Sequence, residues 1–228
     1  MITYNGKVVI SASGKWVGKS TAPQHEAVIG GKTYPTVTMP DGNEWLAVNL
    51  DYAYTGLSIP TGGASLVGTP QAMYYNYDES TYGWNGYKCG LLYNWYAVDY
   101  METNKSTFFP GWHIPSRAEW NTLFEAIGTD VAGKKLKAVD ESAGTDWPSD
   151  WRGTDDYQFA ALPGGRFDLN GFNRAQDYAW FWTTTEKETE PEWAYYADLS
   201  RWADGARVAD YSYGYMQYQY SVRLVKDA

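Results

Sequence analysis

Cysteine and histidine are nearly absent from this chain of 228 residues, which contains 1 Cys and 2 His. A single thiol, Cys89, cannot form an intrachain disulfide or a multi-thiolate zinc or iron–sulfur site. His25 and His113 likewise offer too few imidazoles for a histidine-based metal site. The sequence therefore predicts neither a metal centre nor a bound cofactor.

Basic charge is also scarce, because 18 Lys and Arg residues stand against 27 Asp and Glu residues, for a formal net charge of -9. Nucleic acids and anionic membranes both require a basic face on their partner, so neither is expected as the main ligand. No uninterrupted apolar run approaches the roughly 20 residues of a membrane-spanning helix. Membrane insertion is therefore not expected.

The first residues, MITYNGKVVI, lack the charged start, apolar stretch and small-residue cleavage site of a secretory signal. We therefore expect the protein either to stay inside the cell or to leave it without general secretion, as in phage release, in which case it is cytoplasmic before release and then reaches a virion or the extracellular surface. A short strand is predicted over Lys7 to Ser11, followed by a polar, glycine-containing stretch. Residues 1–27 are interpreted as an arm for attachment to an oligomer or a virion, and residues 28–228 as the main domain.

Few residue patterns in the sequence point to catalysis. The segment Gly14 to Ser20 resembles a phosphate-binding loop, but that motif requires four residues between its glycines and this segment has too few. His113 lies between prolines and aromatic residues and is interpreted as a hydrogen-bonded structural residue. Cys89, beside Gly90, is expected to be a buried, inert thiol. Without a nucleophile–base pair, the chain is not expected to be an enzyme.

Aromatic residues, in contrast, are abundant: 12 Trp, 21 Tyr and 7 Phe make up 18% of the chain. Together with a hydrophobic content of 44%, they are sufficient to fill a core and exclude a disordered chain. The aromatic excess is the most informative feature of the composition.

The pattern of apolar and turn residues predicts an α+β domain with two helices, short antiparallel strands and long loops. One helix is predicted over Ser116–Ile127, where Ser116 and Glu119 have capping-box spacing and Gly128 ends the helix. The second is predicted over about 91–100, and only a short Lys-rich turn is expected beyond Gly133. A hairpin is predicted at Asp41-Gly42, loop over 55–70, and a terminal strand over 220–225.

The last quarter of the chain mixes aromatic residues with Ser, Asp, Gly and Arg rather than with aliphatic residues, which is the composition of a binding surface. Residue parity in the terminal strand places Tyr218, Tyr220, Val222 and Leu224 on a core face. The tyrosines at 211, 213 and 215 have the opposite parity and are predicted to be exposed. The candidate ligand-binding residues are Tyr195, Tyr196, Asp198, Ser200, Arg201, Trp202, Asp204, Tyr211, Ser212, Tyr213, Tyr215 and Met216.

A series of ordered motifs covers most of the chain. They are Gly42-Asn43-Glu44-Trp45-Leu46-Ala47-Val48-Asn49-Leu50, Gly90-Leu91-Leu92-Tyr93-Asn94-Trp95, Gly111-Trp112-His113-Ile114-Pro115-Ser116, Glu119-Trp120, Lys135-Leu136-Lys137, Ala161-Leu162-Pro163-Gly164-Gly165, Phe181-Trp182-Thr183-Thr184-Thr185-Glu186 and Ser221-Val222-Arg223-Leu224-Val225-Lys226-Asp227. Over about residues 28–227 the chain resembles the Fibrobacter succinogenes major paralogous domain, a group with a C-type-lectin-like fold.

The resemblance carries further expectations. Members are usually secreted or surface proteins of Bacteroidetes-type bacteria, and some are variable proteins of diversity-generating retroelements, often phage-borne. It places variable side chains in segment 195–216, and its implied scaffold residues are Trp112, Trp120, Phe181, Trp182, Val222 and Arg223.

The chain also departs from the resemblance. Many relatives carry two cysteines where this chain has Phe109 and Leu224, so packing is expected to replace a bridge. Glu190-Pro191-Glu192 is similar to the calcium-binding Glu-Pro-Asn of sugar-binding lectins, but it lacks the Asn, so calcium is not supported.

Two functions follow as hypotheses. The first is a non-enzymatic ligand-binding protein with a Tyr/Trp-rich surface, whose specific form is a retroelement-diversified receptor-binding protein of a phage. The alternative is a carbohydrate-binding module of a bacterial surface or glycan-utilisation protein, with rings stacking on sugar faces. The partner expected in both is a protein or glycan on a cell surface.

Overall fold

The computed structural model describes residues 9–10, 16–17, 25–82, 89–139, 147–209 and 214–228. Within the predicted arm, β1 (Val9–Ile10) pairs antiparallel with β2 (Trp16–Val17). The rest of the arm up to residue 24 lies outside the described residues, as does most of the loop-like segment 14–20.

One sheet joins the start of the domain to its end. Its five strands run in the order β3-β4-β5-β15-β8 and are antiparallel. The turns that connect the first three strands contain Gly31 and Gly42, whose φ angles of 78° and 86° suit glycine. The Asp41-Gly42 hairpin is thereby confirmed. The strands are β3 (His25–Ile29), β4 (Lys32–Thr38), β5 (Glu44–Leu46), β8 (Trp112–His113) and β15 (Val225–Lys226).

A second antiparallel sheet of five strands has the order β10-β9-β14-β7-β6, and a third of three strands has the order β11-β12-β13. Backbone hydrogen bonds between Trp182 and Ser221 and between Ser221 and Trp180 connect the third sheet to the segment after β14. The strands are β6 (Ala72–Met73), β7 (Leu92–Asn94), β9 (Arg166–Asp168), β10 (Gly171–Asn173), β11 (Tyr178–Glu186), β12 (Ala194–Ser200), β13 (Ala206–Ala209) and β14 (Gln219–Tyr220).

The helices are short. They are α1 (Glu79–Tyr82), α2 (Trp95–Thr103), α3 (Lys105–Phe108), α4 (Arg117–Ile127) and α5 (Thr129–Leu136), with single 3₁₀ turns at Tyr75–Tyr77 and Ser149–Trp151. None of the helices in the described parts of the chain combines the length and apolar character needed to cross a lipid bilayer.

Helix α4 confirms its prediction. The Ser116 hydroxyl accepts a hydrogen bond from the Glu119 amide, and the Glu119 carboxylate accepts one from the Ser116 amide. This reciprocal pair satisfies two amides that the first turn leaves without helical partners. Gly128 follows the helix with a φ angle of 98°.

The other helix predictions need correction. Residues 92–94 form β7, and α2 begins only at Trp95, because the Asn94 side chain caps it through the Ala97 amide. The expected Lys-rich turn is instead the end of α5, an eight-residue helix that starts directly after Gly128. Sequence reasoning missed it because the glycine that ends α4 also begins α5.

The terminal strand over 220–225 is also wrong as predicted, since β14 ends at Tyr220 and β15 begins at Val225. The four side chains that parity assigned to the core are buried, but parity does not separate two faces here, because Gln219, Ser221 and Arg223 are as buried as their neighbours. Arg223 donates to the Asn49 side chain and to the carbonyls of Leu46 and Phe159, so a fully buried cation is compensated inside the core.

Two clusters of buried side chains form the core. The first contains Tyr93, Trp182 and Tyr220, and the second contains Trp45, Trp120 and Phe181. Phe109 and Leu224, where the resemblance implied packing in place of a bridge, are both fully buried in the first cluster. The architecture is therefore a mixed α and β domain, rich in strands, with few helices and curled antiparallel sheets.

Candidate ligand-binding surface

The third sheet determines which side chains of the candidate segment can meet a ligand. Strand β12 lies at its centre, paired with β11 on one side and β13 on the other. Alternate side chains of a strand lie on the same face of the sheet. The pairing of β12 with its two neighbours therefore arranges the side chains of one face in rows that cross the three strands. These rows are Trp182–Tyr196–Ala209, Trp180–Asp198–Arg207 and Tyr178–Ser200.

The first row is core, which corrects the assignment of Tyr196 to a binding surface. Tyr196 is 1% exposed and packs against the rings of Trp182 and Tyr220. Met216 is likewise buried in this cluster. Neither side chain reaches the surface, because the first core cluster covers this end of the face.

The second row contains a buried ion pair. The Asp198 carboxylate accepts hydrogen bonds of 3.1 and 2.9 Å from Nε and Nη2 of Arg207. Burial raises the pKa of Asp198, and the hydrogen bonds and charge of Arg207 oppose that rise. The Asp198 side chain is 5% exposed, whereas that of Arg207 is 59% exposed. Asp198 therefore supports Arg207, and Arg207 is the member of the pair that can reach a ligand.

The third row leads into a turn that presents an exposed ring. Trp202 is 46% exposed and lies 5.3 Å from the ring of Tyr178, centroid to centroid. The guanidinium of Arg201 lies 4.5 Å from the Trp202 ring, and its Nη1 pairs with Asp177 at 3.1 Å. The indole is thus flanked by a second ring and by a cation that a carboxylate holds in place.

Beneath the turn the stack continues into the core. The rings of Tyr178 and Trp180 are parallel within 11°, with centroids 4.4 Å apart. The Arg166 guanidinium lies 4.6 Å from the Trp180 ring, and its Nε forms a buried ion pair of 2.7 Å with Asp168. The exposed Trp202 ring therefore contacts a Tyr178 ring that is itself packed on the core, and a ring supported in this way loses less entropy on binding.

We call the solvent-facing part of this assembly the aromatic–arginine surface: it consists of the exposed Trp202 and Arg207 and the half-buried Tyr178, Ser200 and Arg201. Sequence reasoning identified Ser200, Arg201 and Trp202 but missed Tyr178 and Arg207. No local signal finds those two, because only the pairing of β11 and β13 with β12 brings them beside the others.

The opposite end of β12 carries a separate group of half-buried rings. The Arg117 guanidinium lies 4.1 Å from the ring of Tyr195, and the Tyr215 hydroxyl donates to Glu192 at 2.9 Å. Residues 195 and 200 lie roughly 17 Å apart along an extended strand, and the side chains from Tyr196 to Leu199 between them are buried. The candidate residues therefore do not form one continuous surface.

The remaining candidates have mixed outcomes. Asp204 is exposed, with its carboxylate 3.7 Å from the ammonium of Lys134. Tyr211, Ser212 and Tyr213 lie outside the described residues. The residues on either side of them are described. Ala209 pairs with Tyr196, and the Gly214 carbonyl accepts a hydrogen bond from the Ala194 amide. Both flanking residues therefore lie at the end of β12 that carries Tyr195.

The residues that the sequence offered for metal binding or catalysis have structural contacts or are buried. No group of three or more His, Cys, Asp or Glu that could hold a metal occurs among the described residues. Glu190 pairs with Lys187 at 3.0 Å, while Glu192 accepts from Tyr215. His113 is hydrogen-bonded to two carboxylates, and Cys89 is buried.

Comparison with known proteins identifies a family. The sequence model described as the Fibrobacter succinogenes major domain matches residues 41–226, well over half of the chain. No curated protein and no solved structure matches the chain. The matched range contains all of the aromatic–arginine surface.

Proposed function

The chain belongs to the Fibrobacter succinogenes major domain family, and on this premise we propose that it is a non-enzymatic ligand-binding protein. Its contact site is the aromatic–arginine surface. The scaffold beneath is proposed to be C-type-lectin-like, which the mixed α and β architecture with curled antiparallel sheets supports.

One observation carries the proposal: Trp202 is 46% exposed while in contact with the ring of Tyr178 and with the Arg201 guanidinium. Exposing a large ring to water is unfavourable, and a fixed ring gains no freedom in return. Trp, Tyr and Arg are the residue types that most often dominate binding energy at interfaces. A rigid cluster of all three at one exposed site fits a contact surface better than a purely structural role.

Charge on this surface is balanced. Arg201 pairs with Asp177 and Arg207 pairs with Asp198. Such paired guanidinium groups provide directed hydrogen bonds without strong attraction for an anion. The ligand we propose is therefore a polar, largely uncharged surface of a protein or glycan on a cell, with apolar faces that cover the rings.

We further propose that the protein is a retroelement-diversified receptor-binding protein of a phage. The exposed positions at both ends of β12 would then be the variable ones, and the buried residues from Tyr196 to Leu199 would be constant. A near-repeat of the codons for 195–216, differing at template adenines beside a reverse-transcriptase gene, would support this form of the proposal. Its absence would leave a binder of fixed sequence.

Replacing Trp202 with Ala tests the binding surface. The wild-type protein is applied to a saccharide microarray and to a phage-displayed peptide library, and the affinity of each recovered binder is measured by biolayer interferometry. We expect Trp202→Ala to weaken binding by about 2 kcal/mol, or roughly 30-fold, as for an interface hot spot. The melting temperature should change little, because the ring is exposed.

Trp151 provides the matched control, since it is also exposed, at 41%, but lies in the 3₁₀ turn Ser149–Trp151. Trp151→Ala should retain wild-type affinity. Binders whose affinity is equal for wild type and Trp202→Ala would contradict the assignment of the surface. Recovery of saccharides alone would favour the carbohydrate-binding module over a protein-binding role.

A further inference from the structure

We propose that Lys137 is a positioning residue, which holds the turn that presents Trp202 through a buried ammonium group. The inference rests on the proposed function, because the ring that Lys137 positions is Trp202 of the proposed contact site. It depends on contacts between α5 and the turn over residues 200–205, which follows β12.

The Lys137 ammonium donates two hydrogen bonds to this turn. Its Nζ lies 3.0 Å from the Ser200 carbonyl and 3.0 Å from the Ala203 carbonyl. These two acceptors lie on either side of Arg201 and Trp202 in the chain. One cation therefore ties together the start and the end of the segment that carries the exposed ring.

The environment of Lys137 is unusual for a lysine. The residue is 1% exposed, and its Nζ lies 5.2 Å from the centroid of the Trp147 ring. Burial lowers the pKa of the ammonium, the negative charge of Asp204 raises it, and Lys134 lowers it further. No carboxylate forms an ion pair with Lys137 among the described residues, so the two carbonyls are the main compensation for its lost hydration.

Two further hydrogen bonds involve residues of the same turn, so the conformation of the turn depends on the Lys137 ammonium together with these contacts. The Lys134 amide donates to the Asp204 carbonyl at 2.7 Å, which fixes the far end of the turn on α5. The Trp202 amide donates to the Ser200 hydroxyl at 3.1 Å. Without the ammonium, the Ala203 carbonyl would lose this donor and the Ser200 carbonyl would keep only the long 3.4 Å hydrogen bond from the Ala203 amide, so we expect the turn to open toward water.

Lys134 and Lys137 form a natural pair for a test. Both reach the same turn, but the Lys134 side chain is 49% exposed and pairs with the Asp204 carboxylate at 3.7 Å, whereas Lys137 binds backbone carbonyls inside. Lys137→Met keeps most of the apolar stem and removes the donors. Lys134→Met removes a lysine charge beside the same turn and leaves the buried donors in place.

The measurement is 19F NMR of the full chain labelled with 5-fluorotryptophan. The Trp202 resonance is assigned by its loss in Trp202→Phe. In Lys137→Met we expect it to move toward the position it has in the unfolded chain. The resonances of Trp45 and Trp120, which lie in the second core cluster, should stay in place. In Lys134→Met, the Trp202 resonance should keep its wild-type position.

Each alternative result overturns the inference. An unchanged Trp202 resonance in Lys137→Met would show that the ammonium does not position the ring. Displacement of all tryptophan resonances would show that Lys137 holds the whole fold rather than the turn. An equal displacement in Lys134→Met would assign the effect to charge.

The NMR readout requires no ligand, so it is independent of whether the surface binds one. Binders recovered from the saccharide array or the peptide library provide the second arm. Their affinity should fall by about tenfold in Lys137→Met and remain unchanged in Lys134→Met. A displaced ring with unchanged affinity would contradict the proposed function while leaving the positioning role intact.

Discussion

His113 shows how a residue that resembles a catalytic group can instead join three parts of a fold. Its Nε2 lies 2.6 Å from a Glu119 carboxylate oxygen, and its Nδ1 lies 2.7 Å from an Asp227 carboxylate oxygen. Glu119 also completes the capping box of α4, and Asp227 follows β15. Both ring nitrogens face acceptors, so the doubly protonated imidazolium fits this site best.

The pH dependence of stability should therefore reveal His113. Its hydrogen bond to Glu119, together with that to Asp227, raises the pKa above the ordinary value of 6.5, and partial burial opposes the rise. A raised pKa stabilises the fold fully below 6.5, and this contribution is lost as pH rises through the raised value. We expect the melting temperature to fall by roughly 2–4 °C over that range, as for the loss of about one hydrogen bond in a domain of this size.

Thermal unfolding of wild type and His113→Gln between pH 5.5 and 9 would measure this contribution. The variant should lack the decrease, because glutamine does not titrate. Parallel curves for the two proteins would show that another group is responsible. Below about pH 4.5, outside this range, both proteins should lose stability as the pH falls toward 2, because hydrogen bonds that include those from Ser116 hold the pKa of Glu119 at about 2 against a usual value of 4.5.

At the scale of elements, the pairing of α5 with the Trp202 turn depends on close approach of two backbones. A Cβ atom on Gly133 of α5 would overlap the carbonyl oxygen of Gly205 and lie 2.9 Å from that of Asp204. Glycine is unfavourable inside a helix by about 1 kcal/mol relative to alanine. Its presence here is explained by the space that the turn occupies.

Gly133→Ala should therefore destabilise the protein despite the better helix propensity of alanine. We expect a loss of roughly 1–3 kcal/mol from overpacking, measured by urea unfolding. Gly62→Ala is the matched control, because nothing lies within 4 Å of a Cβ built there. A Gly133→Ala variant as stable as Gly62→Ala would show that the helix and the turn separate freely.

At the scale of the whole molecule, the segment 195–216 contributes to both the core and the surface. Tyr196, Ala197 and Leu199 belong to the two core clusters, whereas Ser200, Trp202 and Arg207 lie on the aromatic–arginine surface. Strand β12 separates the two core clusters, so its central side chains are covered on both faces. A diversified or engineered binding surface is thus restricted to the ends of the strand and to its neighbours.

Randomising these six positions and selecting folded proteins by resistance to proteolysis would test this division. We expect large apolar residues to persist at position 196 and small or aliphatic residues at 197 and 199, since removing a buried aromatic side chain costs about 3–5 kcal/mol. Positions 200 and 202 should accept most residues, whereas position 207 should favour a cation, because the Asp198 carboxylate that it pairs with is buried. Equal tolerance at 196 and 202 would contradict the assignment of Tyr196 to the core.

Several local features could be predicted from the sequence because each depends on residues within a few positions of one another. The capping box of α4, the Asp41-Gly42 hairpin and the buried state of Cys89 are of this kind. The ordered family motifs added the family itself. Helix α5 was not predicted because the glycine that ends α4 also begins α5. Strand β7 was not predicted because its apolar residues are equally compatible with a helix.

The sequence by itself determined the mixed class, the family and the enrichment of aromatic residues in the last quarter of the chain. Only the tertiary structure decided which of those rings are exposed. Tyr196 and Trp202 have similar local surroundings in sequence, yet one packs against Trp182 and the other faces solvent. The reason is that exposure depends on contacts between distant parts of the chain: the register of β12 with β11 and β13, and hydrogen bonds from Lys137, which follows α5, assemble the surface around Trp202.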